Sequence, residues 1–168
     1  FTILFYLLCT VVTAQVHKSP VGQMAINIDS LTNIVNTAKE DTAKVNAYHM
    51  LGSFIAGTDA LAALAYCKKG AALGKKLDYK KGIAVCMLTA SYCSGLLNNL
   101  NSSTSYIDSA IFYYKIINKP DLIALCYKNR AENKQKLGKL KQALNDCDTS
   151  MYYTEISNRK SAKKSLYK

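Results

Sequence analysis

The feature that most narrows the fold is self-similarity at a spacing of forty residues. Ile83-Ala84-Val85-Cys86 returns as Ile123-Ala124-Leu125-Cys126, and the same offset joins Leu100 to Leu140 and Ile116 to Ile156. Longer series keep the register: Ala63, Ser103 and Ala143; Cys67, Ile107 and Cys147; Gly70, Ala110 and Ser150. A fixed period of this size marks stacked units, because one such unit cannot hide its apolar face alone and buries it against the next.

Composition decides what the unit is made of. Two prolines and eight glycines in 168 residues leave little for a turn-rich β fold, whereas 49% apolar content with Ala, Leu, Lys and Asn runs suits helices. Polar breaks divide the chain into helix pairs. Gly57-Thr58-Asp59, residues 98–102 and Gly138-Lys139 read as turns within units, and residues 78–81 and Asn118-Lys119-Pro120-Asp121 as breaks between them. Pro120 has no amide proton to give a helix interior, so it marks a helix start. The first helix of each pair is expected over residues 41–56, 81–97 and 121–137, and the second over 59–77, 103–118 and 140–157. A shorter leading helix, capped by Asp29 or Ser30, is expected to run to Ala38. Gly52, Ser91 and Ala131 on the first helices, set against Ala63, Ser103 and Ala143 on the second, allow close backbone approach.

The positions that recur are Tyr48, Leu51, Gly52, Ile55, Ala63, Cys67 and Gly70 in the first unit. The second carries Met87, Ala90, Ser91, Ser94, Ser103, Ile107 and Ala110, and the third Tyr127, Arg130, Ala131, Lys134, Ala143, Cys147 and Ser150. This pattern resembles the tetratricopeptide repeat. The resemblance implies an all-α, right-handed α-solenoid of antiparallel helix pairs, with about three repeats over residues 41–80, 81–120 and 121–160. Tyr167 follows Tyr127 by forty residues, so 161–168 is expected to begin a fourth repeat, which makes the chain read as a fragment. Two departures stand out. Arg130 and Lys134 sit where the family buries apolar side chains, so the third first-helix is expected to be rotated, loosely packed or shielded by lysine stems. The period of forty also exceeds the family's usual 34 or so. Residues 29–52 and 71–84 in particular look like the exported repeat regions of bacterial sensor proteins. That likeness implies a periplasmic input region of a larger signal-transduction protein; the alternative is a stand-alone exported assembly or adaptor protein.

Residues 1–14 are uncharged and mostly apolar, too short to span a bilayer but matched to the apolar core of a secretory signal, with Val12 and Ala14 before a cleavage ahead of Gln15. A cleaved signal is preferred over an uncleaved anchor. Residues 15–40 then form a leader with the short helix, and the location is exported, periplasmic or otherwise extracytoplasmic. Cys67, Cys86, Cys93, Cys126 and Cys147 remain, an odd number without a C-x-x-C pair, and all five are expected to be small buried hydrophobes. The net charge of +11 is spread over lysines on successive helices, as solvated faces would give, and export argues against a nucleic-acid partner.

No phosphate-binding loop, zinc-protease, hydrolase or kinase motif is present in the sequence, and no cofactor or metal is expected. His17 and His49 are isolated, and Asp146 and Asp148 fall on different faces of one helix, which rules them out as an acid–base pair. The resemblance places a peptide groove on the first helices. Its residues are Asn46, His49 and Ser53 in the first unit, Val85, Leu88 and Tyr92 in the second, and Leu125, Lys128 and Glu132 in the third. A protein or peptide partner is expected there, with membrane contact only through an anchor outside this sequence.

Overall fold

A computed structural model describes the backbone of residues 20–166 and the side chains of residues 28–161. The described residues are helical throughout, with no strand. The helices are α1 (Pro20–Thr37), α2 (Thr42–Ile55), α3 (Ala60–Lys76), α4 (Lys80–Leu96), α5 (Leu100–Ile116), α6 (Pro120–Lys136) and α7 (Leu140–Leu166). α1 belongs to one compact unit and α2 to α7 to another, in which each helix packs against the next. The apolar segment 1–14 and His17 lie outside the described residues.

The helices from α3 to α6 are each 17 residues long, and the chain folds back at short turns between them. Asp78, Asn98, Asn118 and Gly138 occupy these turns with φ of 53°, 56°, 53° and 72°, twenty residues apart. Each turn closes in the same way. The amide of the left-handed residue bonds the carbonyl three residues back, and the next amide bonds the carbonyl five back, as in Asn98 N to Gly95 O at 3.0 Å and Asn99 N to Ser94 O at 2.8 Å. These bonds satisfy carbonyls that a helix end leaves without partners. Only glycine adopts such a backbone freely, with Asn and Asp next because their short polar side chains tolerate it. The underlying spacing is therefore twenty, half of the sequence period.

Helix starts are capped from the sequence. Asp41 accepts from Lys44 N at 3.0 Å, Asp59 from Ala62 N at 2.9 Å and Asn99 from Ser102 N at 3.1 Å. Asn99 thus begins α5 ahead of the expected start at Ser103, and residues 100–102 belong to the helix. Pro120 opens α6, as expected from its missing amide proton. Two elements outrun their expected bounds. α1 starts at Pro20, so Asp29 and Ser30 lie inside it and do not cap its start. α7 continues for 27 residues through Leu166, with no break before residue 161. Lys163 and Lys164 stand forty residues after Ile123 and Ala124, which α6 buries at 3% and 7% exposure. Two lysines cannot take those buried places, so nothing favours a turn at Asn158.

Small residues set the distances between helices. A Cβ on Gly52 would stand 2.6 Å from Cys67 Sγ and 3.1 Å from Ala63 O, so α2 and α3 pack closer than any side chain allows. Ser91 and Ser103 repeat that contact between α4 and α5, with Ser103 Oγ donating to Ser91 O at 2.8 Å. Among the described residues the largest core cluster joins Ala84 of α4, Ile107, Ala110, Ile111 and Tyr114 of α5, and Ile123 and Cys126 of α6.

Arg130 and Lys134 are held by an opposite charge on the next helix. Both reach a carboxylate, Asp146 of α7, that is fully buried. Arg130 donates from Nε to Oδ2 at 2.9 Å and from Nη2 to Oδ1 at 2.6 Å, Lys134 Nζ lies 2.8 Å from Oδ2, and Arg130 Nη1 reaches Asp108 of α5 at 2.5 Å. The guanidinium also lies 4.8 Å from the centre of the Tyr127 ring, which stacks on Tyr153. Burial alone would raise the Asp146 carboxyl, but the hydrogen bonds and charges of Arg130 and Lys134 outweigh it and hold the group below the usual carboxylate range. The side chains that break the apolar pattern therefore form an ion-pair network across three helices.

Candidate partner-binding face

The nine candidate residues lie on α2, α4 and α6. Asn46, Ser53, Tyr92, Leu125, Lys128 and Glu132 are exposed, while His49, Val85 and Leu88 are half-buried. Val85 and Leu88 pack against the large core cluster, so they support the face from behind.

Between the first two units the face is closed. α2 lies directly against α4. Ser53 Oγ sits 3.4 Å from His49 Nε2 and 3.5 Å from Thr89 Oγ1, and Tyr79 Oη donates to Asn46 Oδ1 at 3.3 Å. Burial lowers the pKa of His49, favouring the neutral ring in this polar seam.

Between α4 and α6 the face opens, because these helices approach each other far less closely. Tyr92 occupies the place that Ser53 fills in the first unit and lines the opening. The result is a cleft of about 440 Å³ that brings together Tyr92, Lys128 and Glu132 of the nine. Asn129, Asn133 and Lys136 of α6 and Leu96 of α4 complete its walls, and Ser91, Ser103 and Ile107 lie at its base. Asn133 Nδ2 donates to Ser103 Oγ at 2.8 Å, which fixes the amide across the base. Leu125 and the three residues on α2 do not line this cleft. Steps of four residues, Lys128 to Glu132 to Lys136 and Asn129 to Asn133, are the sequence signal that places the additional residues on the same side of α6.

The arrangement suits binding. Two ammonium groups, one carboxylate and two amides surround an aromatic ring, a mixture that meets both peptide groups and side chains of a bound chain. Cys86 and Cys126 are buried, and burial pushes both thiols up to about 12, where thiolate is scarce at neutral pH. Cys67 and Cys93 are buried as well. Cys147 departs from the expected burial and is exposed on α7. Asp146 and Asp148 part as the helix period requires, the first buried and the second exposed. Among the described residues no cluster of three or more His, Cys, Asp or Glu is arranged to hold a metal ion, and no helix is long and apolar enough to cross a membrane.

No protein-family model matches the chain, and no curated protein matches it.

Proposed function

We propose that this chain is a non-catalytic scaffold for protein–protein interaction or sensing, built as a right-handed solenoid of about three tetratricopeptide-like helix pairs. It serves in the periplasm as the input region of a bacterial signal-transduction protein. The observation that carries the binding part is the cleft between α4 and α6, where Tyr92, Lys128 and Glu132 meet Asn129 and Asn133 on a face otherwise closed by the Ser53–Thr89 contact. An extended peptide fits such a cleft, its apolar side chain against Tyr92 and its backbone against the asparagine amides.

The test begins with selection of binders from a displayed library of linear peptides. Tyr92→Ala combined with Lys128→Glu is expected to weaken the selected peptides at least tenfold while leaving thermal stability unchanged, because both side chains are exposed. Equal binding by wild type and double variant removes the cleft from consideration. Leu88 is left intact because it also supports the core.

A further inference from the structure

The two walls of the α4–α6 cleft differ in chemistry, and each repeats at the step of one helical turn. Along α6, Lys128, Glu132 and Lys136 stand four residues apart, so that wall reads cation, anion, cation. All three are exposed, and none of the ion pairs among the described residues engages them. On the α4 wall, Tyr92 and Leu96 are 58% and 49% exposed and also stand one turn apart. A helix rises 1.5 Å per residue, so side chains four apart follow one another at about 6 Å, and Lys128 and Lys136 are about 12 Å apart along the axis. An extended strand rises about 3.3 Å per residue and points successive side chains to opposite sides, so its same-side groups recur at about 6.6 Å and five residues span about 13 Å. The two repeats are commensurate.

We propose that this cleft takes an extended peptide ligand in which acidic, apolar, basic, apolar and acidic residues follow one another. The proposal rests on the reading of the cleft as a peptide site and names what that site selects. The first, third and fifth side chains face α6, where the acidic pair meets Lys128 and Lys136 and the basic residue meets Glu132. The second and fourth lie against Tyr92 and Leu96. The charge order is the same from either end, so both chain directions satisfy it. A helix 10–12 Å across has about twice the cross-section of a strand, about 4.8 by 10 Å, and a cleft of about 440 Å³ suits the slimmer form. No two acidic residues of the sequence stand four apart, so neither these 168 residues nor a second copy of them supplies the segment.

Fluorescence anisotropy with labelled peptides, blocked at both ends and flanked by glycines, tests this. Asp-Leu-Arg-Leu-Asp is compared with the permuted Asp-Leu-Asp-Leu-Arg, which has the same composition and net charge. The first is expected to bind at least fivefold more tightly. Glu132→Lys is expected to abolish that preference and to bind Asp-Leu-Glu-Leu-Asp at least fivefold more tightly than wild type does. Lys128 and Glu132 also border the hollow between α6 and α7, so the site is assigned by residues that line only one of the two. Leu96→Asp, in the cleft, is expected to weaken Asp-Leu-Arg-Leu-Asp at least tenfold, and Leu144→Asp, in the other hollow, to leave it unchanged, both variants checked for folding by circular dichroism. Equal affinity for the two peptides, no measurable binding of either, or loss of binding in Leu144→Asp overturns the proposal. So does tighter binding of a helix-forming peptide that carries the same three charges four residues apart. Failure of the pattern is distinct from failure of the cleft. Library-selected peptides that lack the alternation yet weaken with Tyr92→Ala and Lys128→Glu overturn the pattern alone, whereas Asp-Leu-Arg-Leu-Asp binding that survives the same double change removes the cleft.

Discussion

Replacing Asp146 by alanine leaves two half-buried cations without their main partner. The carboxylate is fully buried, whereas the side chains of Arg130 and Lys134 retain only 19% and 16% exposure. Breaking a buried ion pair by removing one member costs about 3–5 kcal/mol, because the remaining charge has lost its hydration and its counter-charge together. Arg130 keeps Asp108 at 2.5 Å, so the lower end of that range applies, about 3 kcal/mol. At roughly 3–4 °C per kcal/mol for a helical unit of this size, the midpoint of thermal unfolding should fall by about 10 °C. Thermal and urea unfolding followed by circular dichroism at pH 7 measure it, with Asp148→Ala, an exposed neighbour, as the control within about 0.5 kcal/mol of wild type. The triple change Asp146→Leu, Arg130→Met and Lys134→Leu should recover most of the loss, since an apolar trio needs no desolvation of charge. The pH dependence has a definite sign. The folded-state pKa of Asp146 lies below its unfolded value, so its contribution is present above the unfolded value and disappears as pH falls through the folded one. The gap between wild type and Asp146→Asn should therefore close in acid. A loss below about 1 kcal/mol for Asp146→Ala at neutral pH would refute the argument that the network is desolvated.

Gly52→Ala should cost about 1–3 kcal/mol in the same unfolding assay, because its Cβ meets Cys67 Sγ at 2.6 Å and Ala63 O at 3.1 Å; an unchanged midpoint would show that α2 and α3 yield freely. Of the five cysteines from Cys67 to Cys147, only Cys147 should react rapidly with a colorimetric thiol reagent at pH 8, and Cys147→Ser should remove the rapid phase; the others wait for unfolding. His49 has its folded-state pKa lowered by burial, so the unfolded chain binds the extra proton first as pH drops below about 6.5. Stability should therefore decline in that window, and the slope should flatten in His49→Gln, as read from urea midpoints between pH 7 and pH 5.

The all-helical character is legible in the sequence because the recurring residues are those buried where helices meet. Ala63, Ser103 and Ala143 are all buried, and so are Cys67 and Ile107. The half-period of twenty is only faintly written in side-chain identity, in the apolar residue that ends each helix, Leu77, Leu97, Ile117 and Leu137, and in the turn residue that follows it. That residue is Asp, Asn, Asn and then Gly, a series united by a backbone angle. The end of α7 departs from expectation for a related reason: register alone suggests a turn, while Lys163 and Lys164 remove the burial that would hold the chain folded back. Arg130 and Lys134 read as defects in an apolar pattern because their partner lies on the following helix, sixteen residues beyond Arg130. Of the nine candidate residues, Tyr92, Lys128 and Glu132 line the α4–α6 cleft. Nothing in the register signals that α2 and α4 close together while α4 and α6 part.

The equal helices and evenly placed left-handed turns restrict how a gene for this protein can change its length. Inserting one residue within α4 or α5 rotates everything downstream by about 100°, turning buried side chains outward and misaligning the next turn. Adding or deleting forty residues, one full hairpin, preserves every angle and presents the same kind of surface to the next helix along the chain. Growth and shrinkage by whole hairpins is thus the route to new lengths that packing permits, and the turns at Asp78, Asn98, Asn118 and Gly138 are where such exchanges leave no scar.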